Sequence, residues 1–133
     1  MPFFKQDILE SSDKKSGLGE KEYKDALEKI LSITRGALDS TMKEYELNTI
    51  CGPTTGPAWC TDLINGDFFT GYAVYSCAAI AGYPHLTVPM GLVFDLPVGI
   101  SFLGQPYQEP ELLSISYAYE QASKKRTAPK FLN

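Results

Sequence analysis

From Phe68 to Phe94 the chain carries no Asp, Glu, Lys or Arg. A run of that length is long enough to cross a bilayer. Gly71, Gly82, Pro84, His85, Pro89 and Gly91 interrupt it, and its end reads as strand. It is therefore read as a buried core helix and strand, covered on several sides.

The second half of this run is the stretch on which the rest of the chain is organised. It reads Ala81-Gly82-Tyr83-Pro84-His85-Leu86-Thr87-Val88-Pro89-Met90-Gly91 and is followed by Leu96-Pro97-Val98-Gly99-Ile100-Ser101-Phe102-Leu103-Gly104. Gly82 and Pro84 predict the end of a helix, because Gly suits a left-handed cap and Pro cannot continue the ladder. Leu86-Thr87-Val88 is short and β-branched, and Leu92 to Asp95 reads as the turn region. Pro97 to Phe102 alternates large and small residues at a period of two, the pattern of a strand with one buried face. Gly99 and Gly104 predict close approach by another element.

The remainder falls into place around this hairpin. Phe3 to Leu9 is a short apolar-periodic piece, and Ser11 to Glu20 reads as a polar loop, so residues 1–19 are helix and loop. Residues 20–46 predict a long helix. There Tyr23, Ala26, Leu27, Ile30, Leu31, Thr34, Ala37, Leu38, Met42 and Tyr45 recur at spacings of three and four. Residues 47–51 read as a strand and 52–67 as a loop that breaks regular structure at Gly52-Pro53 and Gly56-Pro57. A helix is expected over 68–82, starting near Gly71, and the hairpin spans 85–104. Pro110, with Glu109 and Glu111, opens a last helix over 109–126. The expected fold is one α/β domain over residues 1–133, a small mixed sheet of about three strands packed with helices. At least one sheet edge stays open.

Composition excludes several function classes. The net charge is −4, with no basic stripe to release counterions, so neither nucleic acid nor an anionic membrane surface is an expected partner. Cys51, Cys60 and Cys77 have no metal-like spacing and read as free thiols of a cytoplasmic protein. No metal and no cofactor are expected. Met1 to Phe4 is followed at once by Lys5, Gln6 and Asp7, with no apolar run, so no secretory leader is expected. His85 is the single histidine. A Cys51 or Cys77 nucleophile using it lacks any supporting local motif, and the ring reads as structural. No Gly-x-Ser-x-Gly, Gly-x-Gly-x-x-Gly or P-loop occurs. From the residues alone, one Gly/Pro-rich strand-end loop remains as a place for a ligand.

The hairpin residues resemble a pattern of the amidase signature family, "AGYP-x-x-TVP-x-G … LPVG-x-x-F-x-G". Leu112-Leu113 through Tyr119-Glu120-Gln121-Ala122 resembles that family's closing helix, and Gly52-Pro53-Thr54 resembles its strand-end loop. The likeness is closest to the peptide-amidase-like branch and covers nearly the whole chain. It implies the C-terminal fragment of a larger α/β/α fold that hydrolyses carboxylic amides with a Ser–cis-Ser–Lys triad. That triad lies in the N-terminal half of such enzymes, so no catalytic residue is carried over here. Where the family often has an Asn, this chain has Ala79. The resemblance implies a pocket wall at Thr54, Thr55, Trp59, Phe68 and Tyr72, with a small-molecule amide as substrate only in the complete enzyme. The chain alone is expected to be inert. Uncovered apolar surface predicts a homo-oligomer, or a partner that supplies the N-terminal half. The alternative is a non-enzymatic binding or scaffold module derived from an amidase.

Overall fold

A computed structural model describes residues 5–67, 69 and 73–130. In chain order the elements are α1 (Asp7–Asp13), α2 (Lys21–Glu44), β1 (Ile50–Pro53), α3 (Tyr75–Ala81), β2 (His85–Val93), β3 (Leu96–Leu103) and α4 (Glu109–Ser123). The strands form one sheet in the order β1-β3-β2. Both pairings are antiparallel, so the sheet is not mixed. The reason lies in the connections. A two-residue turn folds β3 back along β2, and β1 then runs against β3 on the other side.

Several boundaries differ from the sequence reading for local reasons. Helix α1 begins within the Phe3 to Leu9 piece and runs on to Asp13, three residues into the stretch read as polar loop. Strand β1 begins at Ile50 and runs through Gly52 and Pro53, which were expected to break it. Pro53 lacks an N–H, and an edge strand tolerates that on its unpaired side. Helix α3 starts only at Tyr75, and α4 ends at Ser123, where Lys124 takes a left-handed cap (φ 47°). The hairpin turn narrows to Phe94 and Asp95, both left-handed at φ 49° and 63°. A two-residue hairpin needs this handedness to match strand twist. Neither residue is Gly, so the turn carries backbone strain.

Gly82 ends α3 as expected, with φ 70°. Its N–H and that of Tyr83 both donate to the Ala78 carbonyl, at 2.9 and 3.0 Å. The Arg35 Nε donates to the Ala81 carbonyl at 2.8 Å, and the Tyr83 hydroxyl donates to Asp39 Oδ1 at 2.7 Å. These bonds fasten the C-terminal part of α2 to the end of α3. Burial and the Asp39 carboxylate push the Tyr83 phenol above its ordinary range.

The core lies on this side of the sheet. Met42, Ala78, Ala81, Tyr83 and Leu103 are buried together, with Leu38 and Ile50 packed against them. The opposite face of β3 presents Phe102 to Tyr119 of α4, edge to face at 5.7 Å. Gly104 permits that layer to close, since a β-carbon there would meet the Leu112 side chain at 3.0–3.2 Å. The sheet is thus covered by α2 and α3 on one face and by α4 on the other. The cover is partial. Tyr23, Leu27, Ile30 and Ile33 form an exposed apolar stripe on α2, Ile33 at 63% exposure.

The turn offers a direct check. Replacing Phe94-Asp95 by Asn-Gly relieves two left-handed residues and stabilises the chain by about 1 kcal/mol in denaturant unfolding. Leu103→Ala, in the core, costs about 2–5 kcal/mol in the same measurement.

Candidate functional site

Thr54 follows β1 directly. Its N–H donates to the Gly99 carbonyl at 2.8 Å, and its carbonyl accepts from the Val74 N–H at 3.2 Å. The residue is therefore fixed between β3 and the start of α3. Its side chain enters a cluster drawn from all three strands. Ser101 Oγ donates to Thr54 Oγ1 at 2.8 Å, and Thr54 Oγ1 donates to Thr87 Oγ1 at 3.4 Å. The Thr87 and Ser101 hydroxyls lie 3.2 Å apart, and His85 Nε2 lies 2.7 Å from Ser101 Oγ.

Room for this cluster comes from Gly99. A β-carbon there would sit 2.6 Å from Thr87 Cγ2 and 2.9 Å from Thr54 Oγ1. Gly52 has the same role toward α3, where Val74 Cγ2 would lie 3.1 Å from an added β-carbon. Burial pulls the His85 pKa below its ordinary value of 6.5. The ring is therefore neutral at neutral pH.

A Ser–His contact invites comparison with a nucleophile and its base. Ser101 does not fit that role. It is 0% exposed, and its hydroxyl proton goes to Thr54, so no substrate carbonyl reaches Oγ. Cys51, Cys60 and Cys77 are free and exposed. The residue that His85 meets is Ser101. Among the described residues no group of three or more His, Cys, Asp and Glu side chains could hold a metal ion.

Beyond Thr54, Thr55 and Gly56 are half-buried, and Trp59 is exposed with its ring edge to face on Phe69 at 5.0 Å. Asp62 closes the following turn by accepting from the Ile64 N–H, the Asn65 N–H and Asn65 Nδ2, each at 2.9 Å. Those bonds hold its carboxyl below the usual range. Phe68 and Tyr72 lie outside the described residues. Of the expected wall, the structure therefore joins Thr54 to the hydroxyl cluster and places Trp59 further along the loop. Thr87, Ser101 and His85 were not expected there. The only sequence signal for them was the small face of β3, Gly99 and Ser101. A cleft of about 320 Å³ adjoins the cluster, lined by Thr87, Pro89, Pro97, Gly99, Lys125 and Arg126 among others.

A probable amidase of Arabidopsis thaliana is 34% identical over 130 residues, which is 96% of this chain and 22% of that protein. A glutamyl-tRNA(Gln) amidotransferase subunit of Pseudomonas aeruginosa is 40% identical over 82 residues, 59% of this chain and 17% of that protein. The crystal structure of the peptide amidase of Stenotrophomonas maltophilia superposes with a TM-score of 0.86 at 37% identity. It covers 98% of this chain, and the chain covers 26% of it. The chain matches the C-terminal part of amidase signature enzymes. No family model matches it. The chain spans about a quarter or less of the length of the relatives it matches. Among its described residues no helix is long and apolar enough to cross a membrane.

Two measurements probe the cluster. Gly99→Ala forces Thr87 or Thr54 to move and costs about 1–3 kcal/mol in denaturant unfolding. Because the folded state disfavours charged His85, the unfolded chain binds that proton more readily. Stability is then fully present above about pH 6.5 and is lost as the pH falls below it. Thermal unfolding between about pH 7.5 and about pH 5.5 shows a falling Tm, and His85→Gln flattens the profile.

Proposed function

We propose that this chain is the C-terminal segment of a carboxylic amide hydrolase, and that it works with a further portion that carries the nucleophile. The observation that supports this most is uncovered surface. The chain exposes 10583 Å², against about 6,900 Å² for a compact monomer of its mass. The exposed stripe of Tyr23, Leu27, Ile30 and Ile33 is part of that excess. Relatives that match this chain nearly end to end extend well beyond it.

In this reading the segment walls the acyl or amide pocket through Thr54, Thr55 and Trp59, together with Phe68 and Tyr72. It supplies no catalytic group. Among the described residues no lysine ammonium is hydrogen-bonded to a serine hydroxyl; the Lys21 Nζ contact is to Asp25. A small-molecule amide is bound only in the assembled enzyme, without cofactor, nucleic acid or membrane. Alone, the same uncovered faces drive self-association, since exposed apolar surface favours burial. Three free, exposed thiols favour a reducing cytoplasm. A second reading, a binding module that uses the α2 stripe without any chemistry, draws on the same exposed residues.

The test is amide hydrolysis. The purified chain releases no ammonia from amino-acid or peptide amides, and serine-directed reagents change nothing. Mixed with the N-terminal portion of a peptide amidase, it forms a complex that hydrolyses them. Serine-reagent-sensitive hydrolysis by the chain alone overturns the proposal. A stable, inactive complex with an unrelated protein, and none with the amidase portion, favours the binding module.

A further inference from the structure

The direction of the hydrogen bonds in the cluster carries one more conclusion. A serine hydroxyl has a single proton to give. Ser101 gives it to Thr54 Oγ1 at 2.8 Å, and Thr54 in turn gives its own to Thr87 Oγ1. The Thr87 and Ser101 hydroxyls lie 3.2 Å apart. With the Ser101 proton already given to Thr54, the donor of that pair is Thr87, which closes a ring of three hydroxyls, each donating once. Ser101 has no proton left for His85. The 2.7 Å contact between them is made only if His85 Nε2 carries hydrogen and donates to the second lone pair of Ser101.

We propose that His85, held as the Nε2–H tautomer, is a positioning residue that acts through Ser101 to fix Thr54 and the strand-end loop it begins. Its value to a substrate wall rests on the amidase reading above; the positioning itself does not. The geometry explains why the clamp is effective. Ser101 sits on the central strand and is wholly buried, so its lone pairs have no water to turn to. The His85 donor satisfies one of them and leaves the ring with a single sense of rotation. Thr54 receives a side-chain bond from Ser101 while its backbone holds Gly99 and Val74. Every anchor of the loop entrance thus meets at Thr54, and His85 lies two hydrogen bonds behind it, through Ser101.

Two measurements on the chain itself decide the matter, and neither needs enzymatic activity. A long-range proton–nitrogen correlation spectrum of the single imidazole above its pKa shows Nε2 protonated and Nδ1 bare. The opposite tautomer overturns the proposal. In hydrogen exchange, His85→Ala speeds exchange of the Thr54 and Val74 amides by about tenfold, while the Leu112 amide, under the other face of the sheet, is unchanged. His85→Gln, whose side-chain amide also donates, restores protection to within about twofold. Uniform acceleration at all three amides, or a Gln variant no better than Ala, shows a role in general stability only and overturns it. If His85→Ala fails to fold, Ser101→Ala and the spectrum supply the same decision. In an assembled enzyme His85→Ala raises KM and leaves kcat unchanged. Loss of Thr54 protection without that KM effect keeps the positioning and rejects the wall.

Discussion

The buried hydroxyl of Ser101 is the constraint from which the rest of this structure follows. It lies on the middle strand of three, out of reach of solvent. A polar atom in that position costs free energy unless it is bonded. The partners come from both flanking strands, Thr87 and His85 on β2 and Thr54 at the end of β1. They converge only because Gly99, two residues along β3, has no side chain to occupy the space. One polar cluster thereby spans both pairings and lies at the point where the chain leaves the sheet as a loop.

On the same face, the apolar core begins one pair further along, where Leu103 meets Ile50, Ala78, Ala81, Met42 and Tyr83. That core is small and holds only the C-terminal half of α2. The N-terminal half continues past it with its apolar stripe in solvent. Open edges extend the pattern, since β1 and β2 each have one neighbour among the described residues. Pro53 and Pro89 on those edges limit adventitious pairing. A helix patterned for burial along its whole length, yet covered along half of it, leaves the apolar surface that the proposed larger body would cover. The amidase signature match gives that body a form.

How much of this was legible in the sequence depends on how far apart the interacting residues lie. The end of α3 at Gly82 and the two strands of the hairpin are written in adjacent residues, and so is the long periodicity of α2. The close approaches at Gly99 and Gly104 were legible as small residues in a strand pattern, although not what approached them. The turn was harder to place, because Phe94 and Asp95 adopt left-handed backbone without the Gly that usually marks it. Gly52 and Pro53 looked like breakers and proved compatible with an edge strand. The hydroxyl ring was out of reach of any local pattern, since Thr54 and Ser101 are 47 residues apart and His85 and Ser101 are 16 apart. Of the described residues assigned to the pocket wall by resemblance, Thr54 is the one the fold ties to its three strands.

The central claim is that this fold is one portion of a larger body, with apolar faces that require cover. Sedimentation velocity of the purified chain, from micromolar to near-millimolar concentration, tests it most directly. The account predicts a sedimentation coefficient that rises with concentration, as uncovered α2 and sheet-edge surfaces associate, and that substitution of Leu27, Ile30 and Ile33 by Glu suppresses the rise. A clean, compact monomer across the whole range would contradict it.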